Sequence, residues 1–94
     1  MITRFEQYCA LCGAPSCDTH HLINGHGYKQ LADADHLYIR VCRSCHQKIH
    51  ATPVAMRLGQ IAGQLEFEKQ RVAEGVSPDD AREQFLKRYS KSFL

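Results

Sequence analysis

Apolar positions change their spacing partway along the chain, and the change marks where one kind of element gives way to another. In "LYIRVC", Leu37, Ile39 and Val41 alternate with Tyr38 and Arg40, the period of two that predicts a half-buried strand. "DTHHLI" reads as a shorter strand. The loop between them, with Gly25 and Gly27, runs to about a dozen residues, longer than a hairpin turn and typical of a functional loop. After Cys42, "RSCHQKIHA" meets no breaker before Pro53, which predicts a helix of about two turns. From Thr52 as cap and Pro53 as first helical residue the period becomes helical. Val54, Leu58, Ile61, Leu65 and Val72 share one stripe, interrupted by Glu68 and Lys69, of a long amphipathic helix that Gly59 and Gly63 weaken and that ends near Glu74 at Gly75. A last helix starts with Ser77 as N-cap, Pro78, and Asp79 and Asp80 near the positive end of its dipole; Ala81, Phe85 and Tyr89, with Leu86 beside them, form its apolar face. The pattern predicts an α+β fold in which a two-stranded hairpin and helix, residues 1–52, carry a helical extension, residues 53–94, packed on them as a single domain.

Composition adds chemistry to that outline. Ninety-four residues bury only a modest core, so support from a metal is expected. Five cysteines and six histidines all lie before residue 51. Cys9-x2-Cys12 and Cys42-x2-Cys45 are matched pairs, and with an odd total they suit thiolates on zinc better than a disulfide framework. Together they make a closed four-sulfur shell that ties the N-terminal turn to the strand–helix junction. Cys17 is left over, as a substitute ligand or a partly buried thiol.

Histidines make a second constellation. On a helix His46 and His50 share a face and can chelate one ion, while Cys45 points about 100° round the same helix. One short helix can therefore serve two metals. A third imidazole, from the His20–His21 pair, completes a three-histidine set with open positions, as catalytic metals have. Asp18 falls on the same face of a regular strand as His20 and reads as an extra ligand, as an acceptor behind a ligand, or as a solvated turn aspartate. His26, in "NGHGY", reads as a loop residue with no ligand role.

"CALC", "DTHHLI", the intervening loop and "VCRSCHQKIH" together resemble an HNH endonuclease of the ββα-metal (His-Me finger) group, in the version whose finger is held by zinc on four cysteines. The chain is similar to small phage recombination-associated HNH nucleases, including the RecA-dependent recombination enhancement nucleases. That likeness implies a zinc-stabilised ββα-metal finger with a C-terminal helical tail, hydrolysing DNA phosphodiesters by a one-metal mechanism. It implies His20, His46 and His50 as ligands of the catalytic ion, His21 as general base, and Cys9, Cys12, Cys42 and Cys45 as ligands of one structural Zn2+. An imidazole titrates near neutral pH, which suits it to take a proton from attacking water. The catalytic ion is expected to be Mg2+ or Mn2+, although three imidazoles also suit Zn2+, Ni2+ or Co2+. DNA, and a recombinase filament, are the implied partners. The middle Asn of the family name has no match in "ADHLYIRVC": His36 or Leu37 stands near its place, Asn24 comes too early, and a backbone carbonyl is left to orient His21.

Charge adds little. A formal net charge of +2 does not by itself identify a nucleic-acid binder. Lys29, Arg40, Arg43 and Lys48 are candidate phosphate contacts near the finger, with Arg57 beyond, against Asp33 and Asp35. No apolar run approaches the ~20 residues of a membrane span, and "MITRFEQ" lacks a signal-peptide core, so a soluble, cytoplasmic protein is expected. The competing expectation is a zinc-dependent nucleic-acid or protein adaptor that keeps the finger without cleavage; the presence of His21, which a purely structural knuckle does not need, argues against it.

Overall fold

The computed structural model describes residues 6–25 and 27–94; His26, with the reading given to it above, lies outside the described residues. Strands β1 (Asp18–His21) and β2 (Tyr38–Val41) form an antiparallel pair in the register Asp18↔Val41, Thr19↔Arg40, His20↔Ile39 and His21↔Tyr38. Cross-strand partners share a face, so Asp18 and His20 lie with Val41 and Ile39, and Thr19 and His21 with Arg40 and Tyr38. Ahead of β1 the chain folds on itself through a bridge between Tyr8 and Pro15, with Gly13 at φ 79° in the turn that carries Cys9 and Cys12.

The expected long loop between the strands contains a helix, α1 (Tyr28–Ala34). Its seven residues begin at a left-handed Gly27 with no side-chain cap, and Ala32 alone is buried, so neither capping nor periodicity announces it. Asp35 and a left-handed His36 (φ 59°) then turn the chain into β2. Next come α2 (Arg43–Ala51), whose N-cap is Cys42, α3 (Pro53–Ala73) and α4 (Pro78–Tyr89). Ser77 Oγ accepts the Asp80 N–H at 3.2 Å, the expected cap of α4, whereas Thr52 gives α3 no side-chain cap.

The apolar stripe of α3 is turned the other way from the expected one. Val54, Leu58, Leu65 and Val72 are exposed and Ile61 is half-buried, while the buried side is Gly63, Gln64 and Phe67. Close approach explains this. A Cβ on Gly63 would stand 3.0 Å from Ile23 Cδ1 and from Leu22 Cβ, so the helix face that meets the segment after β1 must lack side chains. Leu86 of α4 is likewise exposed, although Ala81, Phe85 and Tyr89 are buried as their spacing predicts.

The main core joins Ile23, Ala32 and Leu37 from the hairpin and α1 to Phe67, Phe85, Tyr89 and Phe93. Burying each of the aromatic side chains is worth roughly 1.5–3 kcal/mol. Two buried polar groups fasten the C-terminal segment to this core. Gln64 Oε1 accepts the Phe93 N–H at 2.6 Å, and Asp35 Oδ2 accepts from Tyr89 OH and Arg88 Nε, both at 2.6 Å. A second, smaller cluster of Cys9, Val41 and Ile49 lies under α2. No helix among the described residues is long and apolar enough to cross a membrane.

Candidate metal centres on one helix

Cys9, Cys12, Cys42 and Cys45 bring their sulfurs within 4.8 Å of one another. Two sulfurs each about 2.3 Å from one zinc at the tetrahedral angle lie about 3.8 Å apart. Cys12 Sγ and Cys42 Sγ are 3.7 Å apart, so the donor set fits a structural metal such as zinc. The turn and the start of α2 also prepare the sulfurs for negative charge. Burial pushes the Cys9 thiol up, but hydrogen bonds from the backbone N–H groups of Cys42, Leu11 and Cys12, with the Cys12 thiol, together outweigh it and bring it down to about 6. Cys45 is pushed up to about 12, first because its thiol hydrogen-bonds to Cys42 and then to Cys12, and further by burial, so that without an ion it holds its proton against the other sulfurs. A divalent cation relieves that conflict, since ligated thiols lose their protons. Cys17 is exposed and outside the group, so it is neither a substitute ligand nor a buried thiol.

A quarter-turn round α2, His46 and His50 face His20 of β1, and the three imidazoles offer ring nitrogens within 4.8 Å of one another. His46 Nε2 and His50 Nε2 are 3.1 Å apart, close to the about 3.3 Å expected of two nitrogens on one tetrahedral ion. Asp18 fixes which nitrogen His46 offers: its carboxylate accepts from His46 Nδ1–H at 3.0 Å, leaving Nε2 for an ion. Asp18 is held in turn by a two-pronged contact with Arg43, at 2.6 and 2.9 Å. Arg43 first and His46 second hold its carboxyl well below the usual carboxylate range. Asp18 therefore stands behind His46 as a hydrogen-bond acceptor, outside the three-imidazole group, and its side chain, 12% exposed, is no solvated turn aspartate. His20 is buried, its ring bordering an apolar pocket formed with Leu22, Ile49, Leu58 and Gly59. Burial, and then the neighbouring imidazoles of His46, His50 and His21, bring it down to about 4, so it is neutral and ready to ligate at physiological pH.

His20, His46 and His50 open on a cleft of about 130 Å³ that His21, Thr19, Asn24 and Lys29 also line. A water occupies about 30 Å³ of liquid, so the cleft has room for a few solvent molecules or a phosphate group beside an ion. Although adjacent strand residues point to opposite faces, His20 and His21 border this one cleft because it lies at the end of β1, where the chain leaves the sheet. The His21 side chain is 19% exposed, and its Nε2 stands 2.7 Å from Asp33 Oδ1 of α1. A side-chain carboxylate, and not the expected backbone carbonyl, thus holds the ring. His36 is exposed and Leu37 is buried in the core, so neither acts in place of the family Asn at the cleft. Asn24 does reach it, with an Oδ1 that is buried and without a partner among the described residues.

The basic residues divide. Lys29 borders the histidine cleft. Arg40 and Arg43 line an adjoining groove with Asp18 and His46, but Arg40 donates to Thr19 Oγ1 at 2.7 Å and Arg43 is committed to Asp18. Lys48 is exposed on α2. Asp33 escaped sequence reading because it sits in the stretch read as a loop, whereas Asn24, named above as too early to match the family Asn, does border the cleft; the signal that could have found Asp33 is its place in a short helix that returns the chain to β2.

A family model described as "Protein of unknown function (DUF968)" matches residues 4–75 of the chain. The "Uncharacterized protein YdfU" of Escherichia coli (strain K12) is 39% identical over 63 residues, which are 65% of this chain and 18% of that protein. The chain thus spans less than a fifth of the length of that relative. No solved structure matches.

Proposed function

The chain belongs to the DUF968 family, and we propose that this member is a metal-dependent DNA endonuclease of the HNH, ββα-metal kind, with the four cysteines holding one structural zinc. The observation that carries the reading is the convergence of His20, His46 and His50 with His21 on the rim of the same cleft. Three imidazoles with open positions suit a catalytic ion; a second structural site would be closed by a fourth ligand. His21, outside that ligand group, has no structural task that an adaptor would need.

In this reading His20, His46 and His50 hold a divalent ion, Mg2+ or Mn2+ by availability and Zn2+, Ni2+ or Co2+ by affinity. When bound, such an ion supplies Lewis-acid stabilisation of the negative charge that grows on phosphate and leaving oxygens. Asp18 keeps His46 in the tautomer that ligates through Nε2. His21 takes a proton from water as its oxygen bonds to phosphorus; the bond from phosphorus to the 3′ oxygen breaks, and that oxygen leaves with the electron pair and is protonated by solvent. The products carry 5′-phosphate and 3′-hydroxyl ends. Lys29, at the edge of the cleft, attracts the backbone phosphate. Likeness to recombination-associated HNH nucleases supports a role in DNA processing, with a recombinase filament as a candidate partner.

Purified protein with Mg2+ or Mn2+ is expected to nick or cut plasmid or single-stranded DNA, and His21→Ala to abolish cutting while zinc content and folding persist. Absence of cutting by the wild type with every divalent ion and DNA form, with and without a recombinase, would remove the enzyme reading. Normal cutting by His21→Ala would remove the base assignment alone.

A further inference from the structure

Asp33 is an exposed residue in the last turn of α1, with no place in the core and none in either group of metal ligands. Its Oδ1 nevertheless lies 2.7 Å from His21 Nε2, the short end of the range for a charge-assisted hydrogen bond. A carboxylate only accepts, so Nε2 carries the hydrogen, and in the neutral ring Nδ1 then holds the lone pair. No second partner holds the His21 ring among the described residues; Tyr38 lies beside it at 6.4 Å between ring centres without a hydrogen bond.

The helix that carries Asp33 is fixed from behind. Ala32 is fully buried in the main core and Leu31 packs against it. Asp35, two residues after Asp33, is tied to Arg88 and Tyr89 of α4. The aspartate is thus set opposite His21 by the core itself, and α1 links the C-terminal helices to the rim of the histidine cleft.

From this geometry we infer that Asp33 is the positioning residue for His21, fixing the Nε2–H tautomer so that Nδ1 is the atom that accepts the proton from water. The inference rests on the nuclease reading for its catalytic meaning, while the tautomer itself is a property of the protein alone. An exposed pair of this kind contributes little to stability, so removing Asp33 leaves a folded protein in which its effect on His21 can be read.

Two measurements test it. In 15N-labelled, zinc-loaded protein, long-range proton–nitrogen correlation of the His21 ring is expected to show Nε2 protonated and Nδ1 bare, and Asp33→Ala to convert this to a mixture of tautomers. In cleavage assays Asp33→Ala is expected to lower kcat about 10–100-fold, with KM for DNA and melting temperature unchanged, and Asp33→Glu, which keeps a carboxylate on the same helix, to restore most of the rate. An Nδ1–H tautomer in the wild type, a tautomer unaltered in Asp33→Ala, or wild-type cleavage by Asp33→Ala would each overturn the inference. Should the wild type cut no DNA at all, the nuclease reading falls, and the nitrogen spectra still decide whether Asp33 sets the tautomer.

Discussion

His20 gives the most quantitative handle on the histidine site. Burial, and after it the neighbouring imidazoles, lower its pKa from 6.5 to about 4, so the unfolded chain takes up a proton at this residue more readily than the folded one does. Between those two values the unfolded state binds more protons, and stability must rise with pH; the contribution is complete above the unfolded pKa and is lost as pH falls towards the folded one. At ~1.4 kcal/mol for each tenfold difference in proton affinity, the full range is worth about 3 kcal/mol, of which about 2 kcal/mol is lost between about pH 7.5 and about pH 5. The assay is urea unfolding of zinc-loaded protein at a series of pH values, for the wild type and for His20→Gln, which keeps a polar side chain but cannot titrate. The structural zinc is common to both proteins and cancels in the difference; with no ion supplied to the histidine site, what is left is the titration of His20 and its coupling to the neighbouring imidazoles. The stability advantage of the wild type over the variant is expected to shrink by about 2 kcal/mol across that interval. Parallel profiles would refute the reasoning, because they would mean that His20 protonates as easily in the folded protein as in the unfolded chain.

Other perturbations follow from the same geometry. Removing the zinc with a thiol-reactive mercurial, or replacing Cys12 by Ser, is expected to unfold the N-terminal turn and α2, since structural zinc supplies about 10–16 kcal/mol in comparable small sites; unchanged circular dichroism in zinc-free protein would contradict this. Asp18→Ala is expected to weaken binding of the second ion about 10–100-fold, measured by calorimetry, and unaltered affinity would show that His46 needs no carboxylate behind it. Gly63→Ala is expected to lower stability by ~1 kcal/mol, because overpacking against Ile23 and Leu22 costs about 1–3 kcal/mol and the gain in helix propensity returns about 1; a raised melting temperature would contradict the close approach of α3.

Both ligand groups were legible because their logic is local. Cys-x2-Cys pairs and the four-residue spacing of His46 and His50 carry their geometry in the chain, and the alternation of β2 and the caps of α4 do the same. What escaped is set by packing. The stripe of α3 obeyed helical period yet faces outward, because Gly59 and Gly63 select the buried side by having no side chains where His20, Leu22 and Ile23 come near. Hydropathy counts apolar side chains and gives no weight to their absence. The helix α1 lies below the length at which periodicity can be recognised, and with it the sequence hid Asp33, which acts from the far end of a connection and not from a motif.

The division of labour on α2 makes the two metal groups unequal. Nine residues are too few for a helix to stand alone, so its direction depends on what holds it: the cysteines at its N-terminus, Ile49 in the small core, and α3 beyond Thr52. His46 directly follows Cys45, and His50 is one turn further on, so their approach to His20 is inherited from the end of the helix that the thiolates anchor. A metal on the four cysteines therefore organises the three-histidine site before any ion reaches it. The reverse dependence is weak, because Asp18 and Arg43 already hold His46 in its ligating tautomer and burial keeps His20 neutral. In the nuclease proposed above, such a one-way order would let the second ion be exchanged during turnover without loosening the fold, which a single shared metal at the same junction would not permit.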